Sequence, residues 1–425
     1  MTAGSRKVPW WKRLGAGLIT GAADDDPSGI ATYSQVGAAY GYGVLWTVFV
    51  ALPLMIGIQT VCARVGRVTG AGLAKNLRSE FPAALVTGAV LLLAVANIIN
   101  LSADIGAIGA AARLLVGGPA AAYAGIAAVA SAVLQIFVPL ERYAPILKLL
   151  TFSLFAYVAT ILIIPVPWTT VMKGTVWPAV TINGNYAVAV VAVFGTTISP
   201  YLFFWQSSQE ANEVKTNDRR TALKKTPGQA PRAFRRIYID TITGMLVSEV
   251  VAFCIILAAA VVMHGHGKTD VQTSADAALA LKPLAGKFAF ALFASGIIGT
   301  GLLAIPVLAG SVAYALGETF NWRTGLEQKP RRAKSFYGAI AAAMIGGMAL
   351  SFTPLDPIKM LFWSAVINGV VAAPLMVLIM LLASRRKIMG RLRIPAGLRF
   401  LGWAATGVMG AATAVMIVTM LIPHH

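Results

Sequence analysis

The sequence predicts an all-helical protein that crosses a membrane many times. Its 425 residues are 57% hydrophobic and only 12% charged, with a mean hydropathy of +0.74, which ordinary soluble domains do not reach. Apolar stretches of about 20 residues, the length that spans a bilayer, recur along the chain, and polar motifs containing proline interrupt two of them. These observations predict eleven transmembrane helices in one membrane domain, with the first and the sixth helix broken.

The eleven predicted spans are joined by short connections. The fourth span is rich in alanine, and the eighth is so long that it requires tilt or a polar extension. The longest hydrophilic piece, residues 216–236, is a basic connection, and no separate soluble domain is indicated. The predicted spans lie near residues 15–40, 44–63, 83–112, 119–138, 144–164, 185–214, 238–263, 275–317, 335–353, 357–383 and 398–422.

Lysine and arginine are concentrated in alternate connections. If the amino terminus is cytoplasmic, the even-numbered connections are cytoplasmic too, and those are the basic ones. By the positive-inside rule, the sequence predicts a plasma-membrane protein with a cytoplasmic amino terminus and an extracellular or periplasmic carboxyl terminus. The formal net charge of +19 therefore indicates contact with the anionic lipid of the bilayer rather than with nucleic acid. We expect no obligate protein partner.

Three carboxylates interrupt the first span. Asp24, Asp25 and Asp26 precede Pro27 in a stretch that is otherwise typical of a membrane helix. A carboxylate at bilayer depth costs about 2.5–3.5 kcal/mol on insertion scales, so such residues normally face a partner or a water-filled cavity. Asp26 has no obvious positive partner within its own helix, and we predict that it lies in a cation site. Asp24 and Asp25 point in other directions, and their roles stay open.

A second interruption, Gly195-Thr196-Thr197-Ile198-Ser199-Pro200-Tyr201, lies in the sixth span. Two broken helices five spans apart predict an inverted repeat of five helices, and they mark the central site of a transporter. Repeat one would cover about residues 15–164 and repeat two about 185–383, with an extra helix at 398–422. The hydroxyl groups of this motif either face the bound ion or bond back to their own helix.

Both motifs resemble those of a known family. Asp26-Pro27-Ser28-Gly29 resembles the Asp-Pro-Gly-Asn motif in the first helix of the Nramp divalent-metal transporters, and Thr196-Thr197-Ile198-Ser199-Pro200-Tyr201 resembles their sixth-helix motif, which ends Met-Pro-His. Gly29 stands at the place of the family's asparagine and Ser199 at the place of its methionine. Both changes are similar to those of a divergent branch of Nramp-related magnesium transporters. The resemblance covers nearly the whole chain and implies a leucine-transporter-type fold.

The resemblance also implies a set of metal ligands. Asp26 would be the carboxylate ligand, the carbonyls of Ala23 and Thr196 would be backbone ligands, and Ser199 would replace the thioether with an oxygen. Carboxylate, carbonyl, hydroxyl and water suit Mg²⁺, Ca²⁺ and Mn²⁺, whereas a thioether favours softer ions. Magnesium keeps several waters, and we expect Gly29 and Ser199 to leave room for them. The predicted site residues are Asp26, Ala23, Gly29, Thr196, Ser199, Tyr201 and Asp104.

The third span carries a further acid. Asn97, Asn100, Ser102 and Asp104 interrupt an otherwise apolar run. Asp104 resembles a glutamate of the family's third helix. It either attracts the hydrated ion or pairs with Arg113 or a hydroxyl group.

Several residues argue against proton coupling. By the resemblance to the family, Tyr201 and Gln206 occupy the positions of histidines in the proton-coupled members. Leu101 occupies the position of the aspartate that carries the proton in those members. No predicted span contains a histidine, the side chain that titrates near neutral pH. We therefore expect an inside-negative membrane potential to drive uptake, at about 2.3 kcal/mol per charge per 100 mV.

Three functions compete at this point. The carboxylates, the hard ligands and the broken helices favour an alternating-access importer of divalent metal cations, with Mg²⁺ and Mn²⁺ as cargo. The alternatives are a proton-coupled symporter of Mn²⁺ and Fe²⁺, and an amino-acid carrier of the same architecture, in which an Asp triplet would face a substrate carboxylate. An enzyme is not expected, because no span contains a His-Glu-x-x-His helix or a Ser/His pair, and no cofactor is expected. The roles of Glu249 and Asn368 stay open.

Overall fold

The chain is helical throughout the part that the structure describes, and no strand occurs among those residues. A computed structural model describes residues 20–21, 23–138, 152–178, 183–216 and 221–421. The α-helices are α1 (Pro27–Tyr40), α2 (Trp46–Thr69), α3 (Leu73–Arg78), α4 (Ala83–Val116), α5 (Ala120–Phe137), α6 (Phe155–Ile163), α7 (Trp168–Val176), α8 (Gly184–Thr197), α9 (Pro200–Thr216), α10 (Ala230–Val262), α11 (Ser274–Ala278), α12 (Lys282–Ala285), α13 (Ala289–Thr319), α14 (Lys334–Ser351), α15 (Pro357–Ser384), α16 (Arg386–Met389) and α17 (Ala396–Leu421). Short 3₁₀ helices occupy Gly41–Val44, Phe152–Leu154, Pro227–Gln229, His264–His266, Leu279–Leu281 and Gly286–Phe288.

Eight helical segments of the described chain are long and apolar enough to cross a membrane. A ninth results if Phe152–Ile163 and Trp168–Val176, which meet at a bend of 117°, form one span. The predicted count of eleven therefore stays a prediction. Helix α1 has only 14 residues, and the predicted residues 15–19 and 144–151 lie outside the described ranges. The eight segments are Trp46–Thr69, Ala83–Val116, Ala120–Phe137, Gly184–Lys215, Pro227–His266, Ser274–Thr319, Pro357–Ser384 and Ala396–Leu421.

Two predicted spans differ in detail from the structure. The long eighth span is a single α-helix only over α13. Short helical turns precede it, and Gly286, whose φ is +50°, separates α12 from the last of them, Gly286–Phe288. The fifth span ends with α6, because Pro165 and Pro167 follow it and cannot continue a regular helix. A separate helix, α7, begins directly after these prolines. Glycine and proline residues thus divide these apolar stretches into separate helices, although their hydropathy alone does not indicate the breaks.

Both predicted helix breaks are confirmed. Thr20, Gly21, Ala23 and Asp24 are helical, the helix stops at the next two residues, and α1 begins at the proline that follows. The sixth span stops in the same way after α8, and α9 begins at Pro200. Proline lacks an N–H group and has a fixed φ, so it suits the first turn of a new helix and not the middle of an existing one.

The broken helices lie at the centre of the helix packing. Helix α1 packs against α10 and α15, and α8 packs against α15, while α4 makes its most extensive contact with α13. The most apolar window of Gly184–Lys215 is 100% buried, whereas that of Ala396–Leu421 is 28% buried. The two breaks are therefore enclosed by other helices, and α17 lies at the periphery.

Gly195, just before the second break, permits a close approach of two helices. A Cβ atom at this position would overlap the backbone of Ala365 and Gly369 in α15. Any side chain at residue 195 would therefore push α8 away from α15 and shift the break.

We expect Gly195→Ala to lower the stability of the purified protein by about 1–3 kcal/mol, the usual cost of an added methyl group in a packed core. Gly88→Ala is the matched control, because Gly88 is exposed on α4 and a Cβ there meets no atom within 4 Å. Thermal unfolding in one detergent measures both. Equal melting temperatures for the two variants would contradict the close approach.

Candidate functional site at the two helix breaks

Asp26 lies at the first break and acts as the amino-terminal cap of α1. Its Oδ1 accepts hydrogen bonds from the Gly29 backbone N–H at 2.9 Å and from the Ser28 hydroxyl at 2.5 Å. Its Oδ2 accepts from Asn100 Nδ2 at 3.1 Å and from the Tyr201 hydroxyl at 3.4 Å. The residue is 1% exposed, and no ion pair within the described ranges includes it. A buried carboxylate is thus held entirely by neutral donors.

Side chains from the second break reach across to the first. The Tyr201 hydroxyl lies 2.9 Å from the Ala23 carbonyl oxygen and shares its single proton between that oxygen and Asp26 Oδ2. The hydroxyl oxygens of Thr196 and Ser28 lie 3.3 Å apart. The Ser199 hydroxyl lies 2.7 Å from the carbonyl oxygens of both Gly195 and Thr196, so it bonds back to its own helix. Both carbonyls predicted as ligands, those of Ala23 and Thr196, therefore accept a side-chain hydrogen bond in this structure.

Gly29 does not leave the open space that its missing side chain suggested. A Cβ built on it would lie 3.3 Å from Thr196 Oγ1, 3.3 Å from a ring carbon of Tyr33 and 3.4 Å from the Asp24 carbonyl oxygen. The absence of a side chain lets α1 approach the second break closely. Room for water around an ion would require these neighbours to move.

Helix α4 contributes a residue whose role the sequence did not indicate. Asn100 donates to Asp26, and its Oδ1 accepts from the Ser364 hydroxyl of α15 at 2.9 Å. The polar spacing of Asn97, Asn100 and Asp104 along one helix was the available signal. Asn100 links the first break to α15 and fixes the orientation of the Asp26 carboxylate.

Asp104 lies one turn further along α4. It is fully buried, and neither carboxylate oxygen has a hydrogen-bond partner among the described residues. Arg113, one of its predicted partners, is exposed and forms no ion pair with it within those residues. Asp104 thus places a second buried carboxyl group near Asp26, without a cation beside it from the described chain.

A second acidic group lies between the first break and α10. The Ser248 hydroxyl lies 2.7 Å from Asp24 Oδ2 and 2.9 Å from Asp25 Oδ1. The neighbouring Glu249 is 3% exposed, and both its oxygens lack a hydrogen-bond partner in the described part of the chain. Asp24 and Asp25 therefore face α10, away from the donors that hold Asp26.

Four other polar residues of the spans lie away from the contacts that hold Asp26. Glu210 pairs with Arg236 at 2.5 Å, and Glu213 lies 3.3 Å from the same guanidinium, which makes them a terminal ion pair with α10. Asn368 is fully buried, and both amide atoms are without a partner in the described structure. Gln206 accepts from the Thr20 hydroxyl at 2.5 Å.

The arrangement suits an ion that needs few protein ligands. Among the described residues, no group of three or more His, Cys, Asp and Glu side chains is placed to hold a metal ion. One carboxylate, Asp26, lies instead beside the hydroxyl oxygens of Ser28 and Tyr201, and the Ala23 carbonyl accepts from the same Tyr201 hydroxyl. Such a set fits a hard cation that keeps part of its water shell.

Enclosed helix breaks and a buried, unpaired carboxylate define a polytopic membrane transporter. The Nramp family model, "Natural resistance-associated macrophage protein-like", matches residues 17–419. The chain belongs to this family, and it is a transporter rather than an enzyme. Divalent metal cation transporter MntH of Klebsiella pneumoniae is 27% identical over 419 residues, which cover 96% of this chain and 94% of the relative. MntH of Pectobacterium carotovorum is 28% identical over 398 residues, with 91% and 89% covered.

Solved structures share the fold. The Eremococcus coleocola manganese transporter superimposes with a TM-score of 0.70 at 18% identity, covering 99% of this chain and 88% of its own. Mhp1, a nucleobase-cation-symport-1 family transporter, superimposes in a closed conformation with a TM-score of 0.58 at 17% identity, covering 96% and 87%. At these identities the likeness confirms the architecture alone.

We expect Asn100→Ala to weaken binding of the divalent cation predicted from the sequence by about tenfold or more, because a hydrogen bond to a charged group contributes about 1.5–3 kcal/mol. Asn97→Ala is the matched control, since Asn97 lies one turn earlier and donates to the Leu308 carbonyl instead. Titration calorimetry with Mn²⁺ on the purified variants measures the affinity. Equal affinities would show that Asn100 does not orient Asp26.

Proposed function

We propose that this protein imports divalent metal cations, principally Mg²⁺ and Mn²⁺, across the plasma membrane by alternating access. The ion binds at the two helix breaks, with Asp26 as its carboxylate ligand. The carbonyls of Ala23 and Thr196 and the oxygens of Ser199 and Tyr201 would contribute further oxygen ligands. The membrane potential drives uptake, with the amino terminus in the cytoplasm, and proton movement is not required.

The unpaired charge of Asp26 carries this proposal. Four donors orient its oxygens, yet none of them is charged. A divalent cation would supply the missing charge at a depth where a bare carboxylate is costly. The names of the relatives, which are divalent metal and manganese transporters, support the same class of cargo.

The ligand types support hard ions. No thioether belongs to the proposed ligand set, and oxygen ligands favour Mg²⁺ and Mn²⁺ over softer metals. Because the ion has one protein carboxylate, retained waters would complete its coordination, which suits the reluctant dehydration of Mg²⁺.

One set of observations favours a second candidate, a proton-coupled symporter. Asp104 and Glu249 are buried acids whose oxygens have no hydrogen-bond partner among the described residues. Intramembrane acids of this kind serve as proton relays in other transporters. Measurement of internal pH during uptake separates the two candidates.

We expect Asp26→Asn to reduce Mn²⁺ uptake by proteoliposomes to the level of empty liposomes. The asparagine still caps α1, because Asn and Asp are equally good caps, but it removes the charge. Uptake is driven by an imposed inside-negative voltage, with a metal-sensitive dye and a pH dye enclosed.

Asp356→Asn is the control for this experiment. Asp356 also precedes a proline, caps α15 and accepts from the Ile358 N–H at 2.9 Å, and it lies outside the proposed site. The Asp356→Asn variant should take up Mn²⁺ as fast as the wild type. Normal uptake by the Asp26 variant would exclude the proposed site, and acidification of the lumen in step with wild-type uptake would establish the symporter instead.

We expect Ser199→Met to increase transport of Cd²⁺ relative to Mg²⁺, since a thioether favours soft ions. Ser199→Leu is the control, because it adds a side chain of similar size without sulfur. Competition between the two ions in proteoliposomes gives the ratio for each variant. If methionine and leucine change the ratio equally, the effect comes from size, and the argument from ligand softness is wrong.

A further inference from the structure

A polar cavity lies on the side of the protein where the basic connections between the helices are found. Its volume is about 370 Å³. Its wall includes the link between α2 and α3, the end of α9, and the end of α13 with the connection that follows. Six lining residues matter here: Lys75, Lys215, Glu318, Trp322, Arg323 and Arg332.

The cavity has an excess of positive charge. Four of these side chains are cationic, and Glu318 is the only acid among the described residues that line the cavity. The Glu318 carboxylate is already engaged, because it accepts from the Ser208 hydroxyl at 3.1 Å and from the Lys75 backbone N–H at 3.3 Å. None of the four basic residues belongs to an ion pair formed within the described ranges. Cations gathered around one concavity attract anions strongly.

The donors and the size of the cavity indicate the chemistry of the ligand. Arg323 and Arg332 each offer a planar fork of N–H donors that matches phosphate oxygens, and the two lysines add point charges. The volume is in the range of sites for small organic molecules and exceeds what a single inorganic phosphate would fill. Trp322 adds a partly exposed aromatic surface to the same wall.

We propose that this cavity binds a phosphate-bearing organic anion, either a soluble nucleotide or the headgroup of an anionic phospholipid. The cations come from separate elements, Lys75 from α3 and Lys215 from α9, the second half of the broken sixth span. A phosphate contacting both ties α9 to α3. It thereby reinforces the contacts that Glu318 already makes and holds this side of the transporter closed.

The binding test uses the purified full-length protein in metal-free buffer. ATP raises the melting temperature in a concentration-dependent way, as any ligand of the folded state does, while chloride at the same ionic strength does not. A parallel arm compares nanodiscs of phosphatidylglycerol with nanodiscs of phosphatidylcholine. A response confined to ATP identifies a soluble ligand, and a response confined to phosphatidylglycerol identifies a lipid headgroup.

The double variant Lys215→Gln/Arg332→Gln should bind the responding anion about tenfold more weakly or worse, because it loses two charge-assisted contacts. Arg391→Gln/Arg393→Gln is the matched control, since both arginines are exposed and neither lines the cavity. Equal responses of the two double variants, or no response to either anion, would overturn the proposal. Because melting temperature is the readout, this result is independent of whether the protein carries metal ions.

A second measurement tests the closing effect. The anion that binds should slow voltage-driven Mn²⁺ uptake by the wild type and the control variant, but not by Lys215→Gln/Arg332→Gln. Binding without any change of uptake in the wild type would show that the anion does not hold this side closed.

Discussion

The structure depends on the placement of one negative charge, Asp26, inside a membrane domain without a cation beside it in the described chain. A continuous helix could not solvate this carboxylate, since its N–H groups are already used. The break supplies what the helix cannot: a free N–H from the first turn of α1, the Ser28 hydroxyl, and access for donors from α4 and α9. The proline after Asp26 and the polar neighbours thus serve one electrostatic requirement.

The second break answers a complementary requirement. Interrupting a helix leaves carbonyl oxygens without donors, which is tolerated at membrane depth only if side chains, water or a ligand satisfy them. Ser199 and Tyr201 satisfy them in this structure. These hydroxyl groups bond to the Thr196 and Ala23 carbonyl oxygens, which are two of the proposed metal ligands. In the proposed site, each of these carbonyls would therefore have a hydrogen-bond partner when no ion is bound.

Local features of the sequence were sufficient to predict both breaks and the special position of Asp26, because proline and unpaired charge stand out in an apolar stretch. The role of Asn100 could not be predicted in this way, since it depends on how α4 packs against α1. Gly29 shows the same limit: the sequence reveals a missing side chain, but only the packing shows that Thr196 and Tyr33 occupy its surroundings. The count of eleven spans stays a prediction, because the described residues of the first and fifth predicted spans form only the short helices α1 and α6.

The acids around Asp26 bear on the choice among cargoes. Asp104 lies on one side, on α4, and Asp24, Asp25 and Glu249 lie on the other, against α10, and none of them pairs with a cation of the described chain. Coulomb interactions are little screened in a buried site, so each acid that is ionised attracts a cation at Asp26 in proportion to the charge of that cation. A divalent ion gains twice what a monovalent ion gains, and a substrate carboxylate is repelled. The same charges that make the empty domain costly therefore favour a divalent metal over an amino acid.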